Sequence, residues 1–271
     1  MKNTKALIAL LLGVSMLTAC GSTDSSSKTT DESTAAVSSS KAQTPASNTA
    51  KNDDGSMYAD LSEGMPQFFE ASDGWTNGSM FNVFWRATNV TFENGKMQLI
   101  IDNDPVQQQN IPYSGGEFRS KDFYGYGRYE VNLKAIKNDG VVSSFFTYTG
   151  PSDNNPWDEI DVEILGKDTT KVQFNYFTDS KGNHEYMYDL GFDASEDFHT
   201  YAFEWHKDKI VWFVDEKEAY TATESIPVTE SKIMMNVWCG KGVDGWLKAF
   251  KDDKLPLTAE YQWVKFTPFD E

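Results

Sequence analysis

Hydrophobic and polar residues alternate in short stretches through residues 57–271. Examples are Lys96–Ile101, Gly127–Leu133, Lys171–Tyr176 and Lys209–Val214. The stretches are separated by turn residues, among them Asn77-Gly78, Asn94-Gly95, Asn138-Asp139-Gly140 and Lys181-Gly182-Asn183. A period of two places successive side chains on opposite faces of a strand. Because no long stretch follows the 3.6-residue period of a helix, the pattern predicts a single all-β domain, a sandwich or a barrel.

The first nineteen residues have the parts of an export signal. Lys2 and Lys5 give a positive start, and the apolar run that follows is too short to span a bilayer comfortably. The segment ends in Leu17-Thr18-Ala19-Cys20, which resembles the bacterial lipobox, where cleavage precedes a cysteine that is then acylated. We predict a lipoprotein signal peptide over residues 1–19 and a lipid on Cys20. A plain signal peptide that happens to end in cysteine is the alternative.

Residues 20–56 have the composition of a linker. Ser and Thr make up sixteen of the thirty-six residues after Cys20, and Val37 is the only sizeable apolar side chain. Such a segment buries too little apolar surface to offset the entropy of ordering it. We predict a disordered linker that holds the domain of residues 57–271 clear of the membrane. The expected location is the outside of a bacterial cell, with the membrane contacted only through the lipid.

The composition narrows the class of partner. The net charge of −17 argues against nucleic acid, which is bound by clustered Lys and Arg, and disfavours a polyanionic substrate. A neutral polymer meets no such repulsion. Aromatic residues make up 14% of the chain, enough for a core and for flat rings that could receive sugars. With Cys20 assigned to the lipid, Cys239 has no partner for a disulfide in the mature chain.

One predicted strand, within Trp157–Gly166, carries a row of acids. Glu159, Asp161 and Glu163 alternate with apolar residues, so the three carboxylates project from one face. The apolar residues of the opposite face are Ile160, Val162 and Ile164. Three like charges in a row are unfavourable, and three explanations fit the pattern alone: a catalytic set, a solvated edge strand or a cation site. The nearby rings of Phe146, Tyr148 and Trp157 favour the catalytic set.

Glycoside hydrolysis matches the chemistry of such a row. The reaction needs one carboxylate and one carboxylic acid on either side of the scissile bond. Crowding raises the pKa of one carboxyl and keeps it protonated near neutral pH, and Asp161 would tune the coupling between Glu159 and Glu163. The Cα atoms of these two glutamates would lie about 13 Å apart in an extended strand. That spacing leaves retention and inversion of the anomeric configuration both open.

The segment Glu159-Ile160-Asp161-Val162-Glu163 resembles the signature of glycoside hydrolase family 16. The similarity extends from about Phe68 to Phe266 and is greatest to the bacterial lichenases, the endo-1,3-1,4-β-glucanases. Its other stretches are Tyr124–Glu130, Val142–Gly150, Trp157–Asn175, His199–Phe203 and Lys232–Asn236. The resemblance implies a β-jelly-roll sandwich of two antiparallel sheets with a concave cleft. It also implies a retaining mechanism with Glu159 as nucleophile, Glu163 as general acid/base and Asp161 assisting the nucleophile.

The resemblance also implies a substrate, mixed-linkage 1,3-1,4-β-D-glucan, and a set of residues that contact it. These are Asn77, Glu117, Arg119, Phe146, Tyr148, Trp157, Asn175, Asn236, Trp238 and Trp246. Two alternatives remain: a laminarinase that cuts 1,3-β-glucan, and a surface lectin that binds glucan without cutting it. Laminarinases often carry an extra residue before the last glutamate, and this chain lacks it. Lectins need no pair of acids.

The chain departs from the family pattern at several positions. A disulfide of the relatives maps to Val83 and Gly115, so that bridge is not expected. Gln262 stands where relatives have a calcium-binding Asp, although Gly95 retains a backbone-carbonyl ligand, and we therefore expect structural calcium to be weak or absent. No cofactor is expected, because the three histidines (His184, His199, His206) lack the spacing of a zinc site. We expect a monomer.

Overall fold

The computed structural model describes residues 49–271 and confirms an all-β fold within them. The strands are β1 (Ala50–Lys51), β2 (Met57–Asp60), β3 (Phe69–Ala71), β4 (Val83–Trp85), β5 (Val90–Glu93), β6 (Lys96–Asn103), β7 (Tyr113–Gly115), β8 (Glu117–Ser120), β9 (Gly127–Lys134), β10 (Val141–Thr149), β11 (Asp158–Leu165), β12 (Lys171–Phe177), β13 (Tyr186–Asp189), β14 (His199–Trp205), β15 (Ile210–Val214), β16 (Lys217–Ala222), β17 (Lys232–Cys239) and β18 (Leu257–Pro268). The helices are short: α1 (Asp244–Leu247) and three 3-10 turns, Ala87–Asn89, Gln108–Asn110 and Pro151–Asp153. Within residues 49–271 no helix is long and apolar enough to cross a membrane.

The strands form two sheets. One has seven strands in the order β13-β12-β11-β10-β17-β8-β3. The other has eleven strands, with the main path β16-β15-β14-β9-β18-β6-β7-β4 and with β1, β2 and β5 attached beside it. The pairs are antiparallel except for β4 and β7, which run parallel. The prediction of two antiparallel sheets therefore holds for all but this one pair.

The turn residues act as the sequence pattern indicates. Asn94 and Gly95 join β5 to β6 and have φ values of 54° and 77°. Positive φ at two successive residues gives a hairpin turn whose twist matches that of the flanking strands, and Asn-Gly is the pair that adopts it most readily. This hairpin lies in the eleven-stranded sheet.

The core lies between the two sheets, and β11 contributes one face of its residues to it. Ile160, Val162 and Ile164 are each 0% exposed, as predicted. Burying a side chain of this size stabilises the fold by about 1.5–3 kcal/mol relative to leaving it in water. From the opposite sheet the Trp212 indole donates a hydrogen bond of 3.1 Å to the main-chain oxygen of Asp161. The core thereby fixes the height and the orientation of the strand that carries the acids.

Part of the predicted linker forms a strand of the eleven-stranded sheet. Ala50 and Lys51 form β1, which pairs with β2 through Ala50 opposite Tyr58, and the Asp60 amide donates to the Thr49 hydroxyl at 3.0 Å. The composition of this stretch resembles that of the preceding linker, but its backbone groups are paired with an edge strand. The predicted signal peptide, Cys20 and most of the linker lie outside the described residues.

The position expected to bind calcium lacks a set of charged ligands. Gln262 is exposed and lies at a bulge in β18, where the register against β9 shifts. On the same strand Glu260 is already paired with the Lys96 ammonium at 2.8 Å. Within residues 49–271 no cluster of three or more His, Cys, Asp or Glu residues could hold a metal ion. The amide of Gln262 is itself a weaker calcium ligand than a carboxylate.

The two positions that replace the disulfide of the relatives are close in space. Gly115 has no side chain, but a Cβ atom placed on it would lie 3.0 Å from Cγ2 of Val83. The apolar Val83 side chain therefore lies where a bridge between the two positions would be. Cys239 is a free, buried thiol whose Sγ contacts the main-chain oxygen of Asn82 at 3.6 Å. Burial raises the pKa of this thiol far above its usual value. We therefore expect it to be unreactive.

Chelation should leave the stability of the domain unchanged. We expect the thermal unfolding midpoint in excess EDTA and in millimolar calcium to agree within about 1 °C, since bound ligand stabilises only in proportion to occupancy. Differential scanning calorimetry of the same preparation in both buffers measures this. Replacing Gln262 with Asp serves as the matched variant. A calcium-dependent rise of several degrees in the unmodified chain would contradict the prediction.

Candidate active site

The three acids of β11 lie on the face of the seven-stranded sheet that is turned away from the core. Glu159 and Glu163 are partly exposed, whereas Asp161 between them is only 5% exposed. Antiparallel pairing places Tyr148 beside Glu159 and Phe146 beside Asp161. Directly paired residues share a face, so these two rings of β10 lie on the same surface as the acids. The structure thus brings the predicted acids and rings together.

Glu159 is held by hydrogen bonds to both of its sequence neighbours on this face. The Trp157 indole donates to Oε2 of Glu159 and stacks on Phe177 with ring centroids 4.5 Å apart. Asp161 donates a side-chain hydrogen bond to Glu159. Burial raises the pKa of Glu159 to about 7, although both hydrogen bonds lower it. A carboxylate that receives two donors is fixed in orientation and ready to act as a nucleophile.

Asp161 is the most deeply buried of the three acids. Burial, followed by the charges of Glu159 and Glu163, raises its pKa well above the usual value. Burial and the two neighbouring charges thus favour the protonated form of Asp161, which is the form that can donate a hydrogen bond to Glu159. This arrangement matches the auxiliary position that the sequence pattern gives it.

Glu163 is held from the neighbouring strand. Gln173 on β12 lies directly opposite Glu163 in the register, and its Nε2 donates to Oε2 of Glu163 at 2.6 Å. The Trp246 indole in turn donates to Oε1 of Gln173 at 3.1 Å, which fixes the direction of the amide. Burial raises the pKa of Glu163 to about 8, while the bond from Gln173 lowers it.

The two outer acids have different hydrogen-bond partners. Glu159 receives two hydrogen bonds from its face and Glu163 receives one, and burial raises the pKa of both, to about 7 and about 8. The row of acids therefore still holds protons near neutral pH, where a carboxylate and a carboxylic acid coexist in it. One carboxylate and one carboxylic acid are the two groups that glycoside hydrolysis requires.

A chain of polar side chains continues from Glu163 across the sheet. Ser144, opposite Glu163, donates to Oδ1 of Asn236 at 2.6 Å. Asn236 donates to Glu117 at 3.1 Å, and Ser72 donates to the other oxygen of Glu117 at 2.7 Å. Burial raises the pKa of Glu117, which is 1% exposed. These groups form a network of hydrogen-bonded polar side chains beside Glu163.

The remaining predicted substrate-contacting residues differ in their exposure to solvent and in their hydrogen-bond partners. Asn175 pairs with Asp161 in the register and so shares the face of the acids, and its Oδ1 is buried without a hydrogen-bond partner among the described residues. Arg119 is partly exposed and bonds to Glu70 at 2.9 Å, and Asn77 is exposed and accepts from the Trp85 indole at 2.6 Å. Trp238 is only 3% exposed.

Trp238 therefore packs mainly against other side chains. Its ring lies 4.2 Å from that of Phe81 and 5.9 Å from that of Trp246. Trp246, in α1, is partly exposed and contacts the acids indirectly, through its hydrogen bond to Gln173. Tyr148 is also partly exposed, and burial raises its pKa to about 12, so its hydroxyl keeps its proton at neutral pH.

Sequence reasoning missed three residues of this network: Gln173, Ser144 and Ser72. A signal for Gln173 is present, because it alternates with Asn175 along β12 and so shares the cleft face. Asp158 was also missed. Its buried carboxylate accepts from the amides of Asp179, Val228 and Thr229 at 2.9–3.1 Å and so anchors two loops to the start of β11.

The histidines have separate partners. The His184 ring stacks on the Tyr176 ring, and its Nδ1 lies 2.9 Å from the main-chain oxygen of Tyr176. His199 Nδ1 lies 2.7 Å from the Asp215 carboxylate. His206 contacts Glu271. The three histidines are therefore spread over the fold, each with its own partner.

Comparison with known proteins identifies the family. The sequence profile described as "Glycosyl hydrolases family 16" matches residues 77–265, which include the whole row of acids. The chain belongs to glycosyl hydrolase family 16. A beta-glucanase of Acetivibrio thermocellus is 60% identical over 194 residues, which cover 72% of this chain and 57% of the relative. A "Xylanase/beta-glucanase" of Ruminococcus flavefaciens is 56% identical over 222 residues, 80% of this chain.

Family 16 membership also accounts for the fold. A prokaryotic beta-1,3-1,4-glucanase (lichenase) from a mouse hindgut metagenome matches with a TM-score of 0.76 and 53% identity, over 79% of this chain and 99% of that one. The two-sheet arrangement is therefore the jelly roll of family 16, as predicted. The chain spans 28% of the Ruminococcus relative and 57% of the Acetivibrio one, so it corresponds to part of each.

The raised pKa of Glu163 costs stability as the pH rises. The folded chain keeps this proton up to about pH 8, whereas the unfolded chain releases it near 4.5, so stability falls between these values. Glu163→Gln removes the cost and keeps the oxygen that accepts from Gln173. We expect the variant to unfold about 2–8 °C higher than the parent at pH 8 and to differ little at pH 4. Calorimetry across this range measures the difference, with exposed Glu93→Gln as the control; equal gains at both pH values would contradict it.

Gln173 should lower the pKa of Glu163. Because its amide donates to Glu163 and favours the charged form, Gln173→Ala should move that pKa upward by about one unit. Carbon-detected NMR titration of the Glu163 carboxyl measures the shift directly. Gln98→Ala, on the other sheet, is the matched control and should leave the titration unchanged. An unchanged or lower pKa in Gln173→Ala would exclude the positioning role.

Proposed function

We propose that this chain is an endo-β-glucanase that hydrolyses mixed-linkage 1,3-1,4-β-D-glucan with retention of configuration. The observation that carries the proposal is the pair Glu159 and Glu163 on one face of β11, held by hydrogen bonds from Trp157 and Gln173 beside the rings of β10. The relatives at 56–60% identity are named as beta-glucanases, and the lichenase structure shares the fold. The family supplies the reaction type, a glycosyl hydrolysis.

The first step forms a glucosyl-enzyme. The Glu159 carboxylate attacks the anomeric carbon, and the bond from this carbon to the leaving oxygen breaks. Glu163 delivers its proton to that oxygen and becomes a carboxylate. Asp161 and Trp157 hold Glu159 by hydrogen bonds, so the attacking oxygen needs no further reorientation.

The second step releases the sugar. The Glu163 carboxylate accepts a proton from water as the water oxygen bonds to the anomeric carbon, and the ester bond to Glu159 breaks. Glu163 regains its proton and Glu159 its charge, so the cycle closes. Gln173 keeps Glu163 in one orientation through both roles. The nucleophile and the acid both come from the chain, and we propose that no cofactor takes part.

The geometry of β11 favours the mixed-linkage substrate over laminarin. β11 pairs with β10 and with β12 in continuous register, without a bulge before Glu163. This agrees with the missing extra residue in the sequence. A lectin is disfavoured because a binding surface has no need of two partly buried acids whose pKa values are raised at a cost to stability.

We also propose that the enzyme acts at the cell surface as a monomer. The N-terminal pattern predicts export and a lipid on Cys20, and residues 20–56 would tether the domain. The negative charge of −17 suits a neutral polysaccharide that diffuses to the cell. Metabolic labelling with a palmitate analogue, compared between the parent and Cys20→Ala, tests the lipid.

Product analysis tests the function. We expect the parent to cut barley β-glucan and lichenan into short oligosaccharides that contain 1,3 and 1,4 bonds, and to leave cellulose intact. Proton NMR during the first minutes should show the β-anomer of each new reducing end. Glu163→Gln should lower kcat by about 10²–10⁴-fold on the polymer. Glu159→Gln should abolish turnover and retain glucan binding, measured by affinity electrophoresis.

The same assays separate the alternatives. Faster cleavage of laminarin than of lichenan would assign the chain to the laminarinases. Binding of glucan by the parent without any new reducing ends would leave a lectin. Initial release of the α-anomer would exclude retention, and parent-like turnover in Glu159→Gln would remove Glu159 from the mechanism.

A further inference from the structure

A cavity lies at one end of the sandwich, apart from the acids of the cleft. Its volume is about 530 Å³, within the roughly 300–1,000 Å³ of ligand pockets. Aromatic side chains form much of its wall, among them Tyr124, Tyr126, Trp205 and Phe266. None of the predicted catalytic or substrate-contacting residues lines it. The mechanism above therefore gives this cavity no role.

The wall contains a polar group without a partner. Tyr124 is only 5% exposed, and its hydroxyl is buried without a hydrogen-bond partner. Burying a hydroxyl in this way costs about 1–3 kcal/mol. Burial also raises the pKa of Tyr124 to about 12, so the hydroxyl remains a neutral donor. Tyr124 lines the cavity, so a ligand with hydroxyl groups bound there is the partner that a small shift of this ring would bring within reach.

The aromatic rings of the wall are fixed in place. Tyr124 packs edge-on against Phe266 with centroids 4.8 Å apart, and Tyr126 packs edge-on against Trp205 at 5.3 Å. The Trp205 indole donates to the main-chain oxygen of Pro227 at 2.9 Å. Rigid rings offer contact area at little entropic cost.

The mouth of the cavity is partly apolar and exposed. Phe123 is 37% exposed and Val228 is 66% exposed, which is unusual for side chains of this kind. Glu230 is exposed at the same rim, and the nearby Lys51 ammonium is paired with Asp122 at 2.7 Å. The rim therefore combines apolar contact surface with a carboxylate that can accept hydrogen bonds.

The cavity is also connected to the catalytic strand. The carboxylate of Asp158, next to Glu159, accepts from the amides of Val228 and Thr229 and so fixes the loop that forms part of the rim. On the other side, Lys232 lies 4.9 Å from the Phe123 ring and bonds to Asp153 at 3.0 Å. Lys232 pairs with Tyr148 of the cleft in the register.

We propose that this cavity is a second carbohydrate-binding site, which receives a glucosyl unit of the β-glucan outside the catalytic cleft. A pyranose has an apolar face for the rings and hydroxyls for Tyr124 and Glu230. A purely apolar ligand would leave the Tyr124 hydroxyl unpaired, and an anionic one would be repelled by the rim and by the net charge. The inference rests on the proposed function, since its occupant is part of the same polymer.

Two tryptophan indoles allow the sites to be followed separately. Trp205 lines the cavity and Trp157 contacts Glu159, so their indole N–H signals in NMR report the two sites. The protein is the full chain with Glu159→Gln, which prevents cleavage, and the ligand is a mixed-linkage tetrasaccharide. We expect both signals to shift during titration, each with its own dissociation constant.

Tyr124→Phe removes only the unpartnered hydroxyl. We expect it to weaken binding reported by Trp205 by about 2–10-fold, the value of one hydrogen bond, and to leave the Trp157 response unchanged. Tyr201→Phe is the matched control, because its hydroxyl is also buried without a partner but lies in the core away from the cavity. Phe123→Ala, at the exposed rim, should weaken the Trp205 response as well and decides the question if Tyr124→Phe does not fold.

The outcomes separate this inference from the proposed function. A silent Trp205 signal, or one that Tyr124→Phe and Phe123→Ala leave unchanged, overturns the second site; a trapped water beside Tyr124 would give that result. Equal weakening by Tyr201→Phe also overturns it. Failure of the parent to cut mixed-linkage glucan, with a silent Trp157 signal, overturns the proposed function instead.

Discussion

The structure depends on one strand that serves the core with one face and the cleft with the other. Burial of Ile160, Val162 and Ile164 holds β11 in place, and the alternation of the strand then aligns Glu159, Asp161 and Glu163 on the open side. Three charges so close together would repel each other strongly. The sheet tolerates them because burial keeps part of the set protonated and because neighbouring donors satisfy the oxygens.

Differences between the two outer acids arise from their neighbours rather than from the acids themselves. Trp157 and Asp161 stabilise charge on Glu159, whereas Glu163 receives a single amide from Gln173. The same type of side chain is therefore placed in two different hydrogen-bonding environments on one strand. The polar network of Glu117 and Asn236 continues across the sheet from Glu163, and burial again raises the pKa of the carboxyl, that of Glu117.

The buried acids also lower the stability of the folded chain as the pH rises. Carboxyls that keep their protons to higher pH destabilise the folded chain relative to the unfolded one as the pH rises, so catalytic preparation and stability oppose each other here. Anchoring elsewhere offsets this cost. Asp158 fixes two loops at the start of β11, and the Trp212 indole ties its middle to the opposite sheet. These contacts keep the acids in register while their charges vary.

The sequence by itself determined the all-β class, the main strands, the row of acids and the family. Those features follow from period-two alternation and a local motif, which need no knowledge of distant residues. Only the tertiary structure decided that Gln173 orients Glu163, that Asn236 bonds to Glu117 from 119 residues away, that Ala50 and Lys51 join the sheet, and that Tyr124 lines a separate cavity. The physical reason is that alternation tells which face a side chain takes, whereas the register between strands far apart in the chain is set by packing of the whole core.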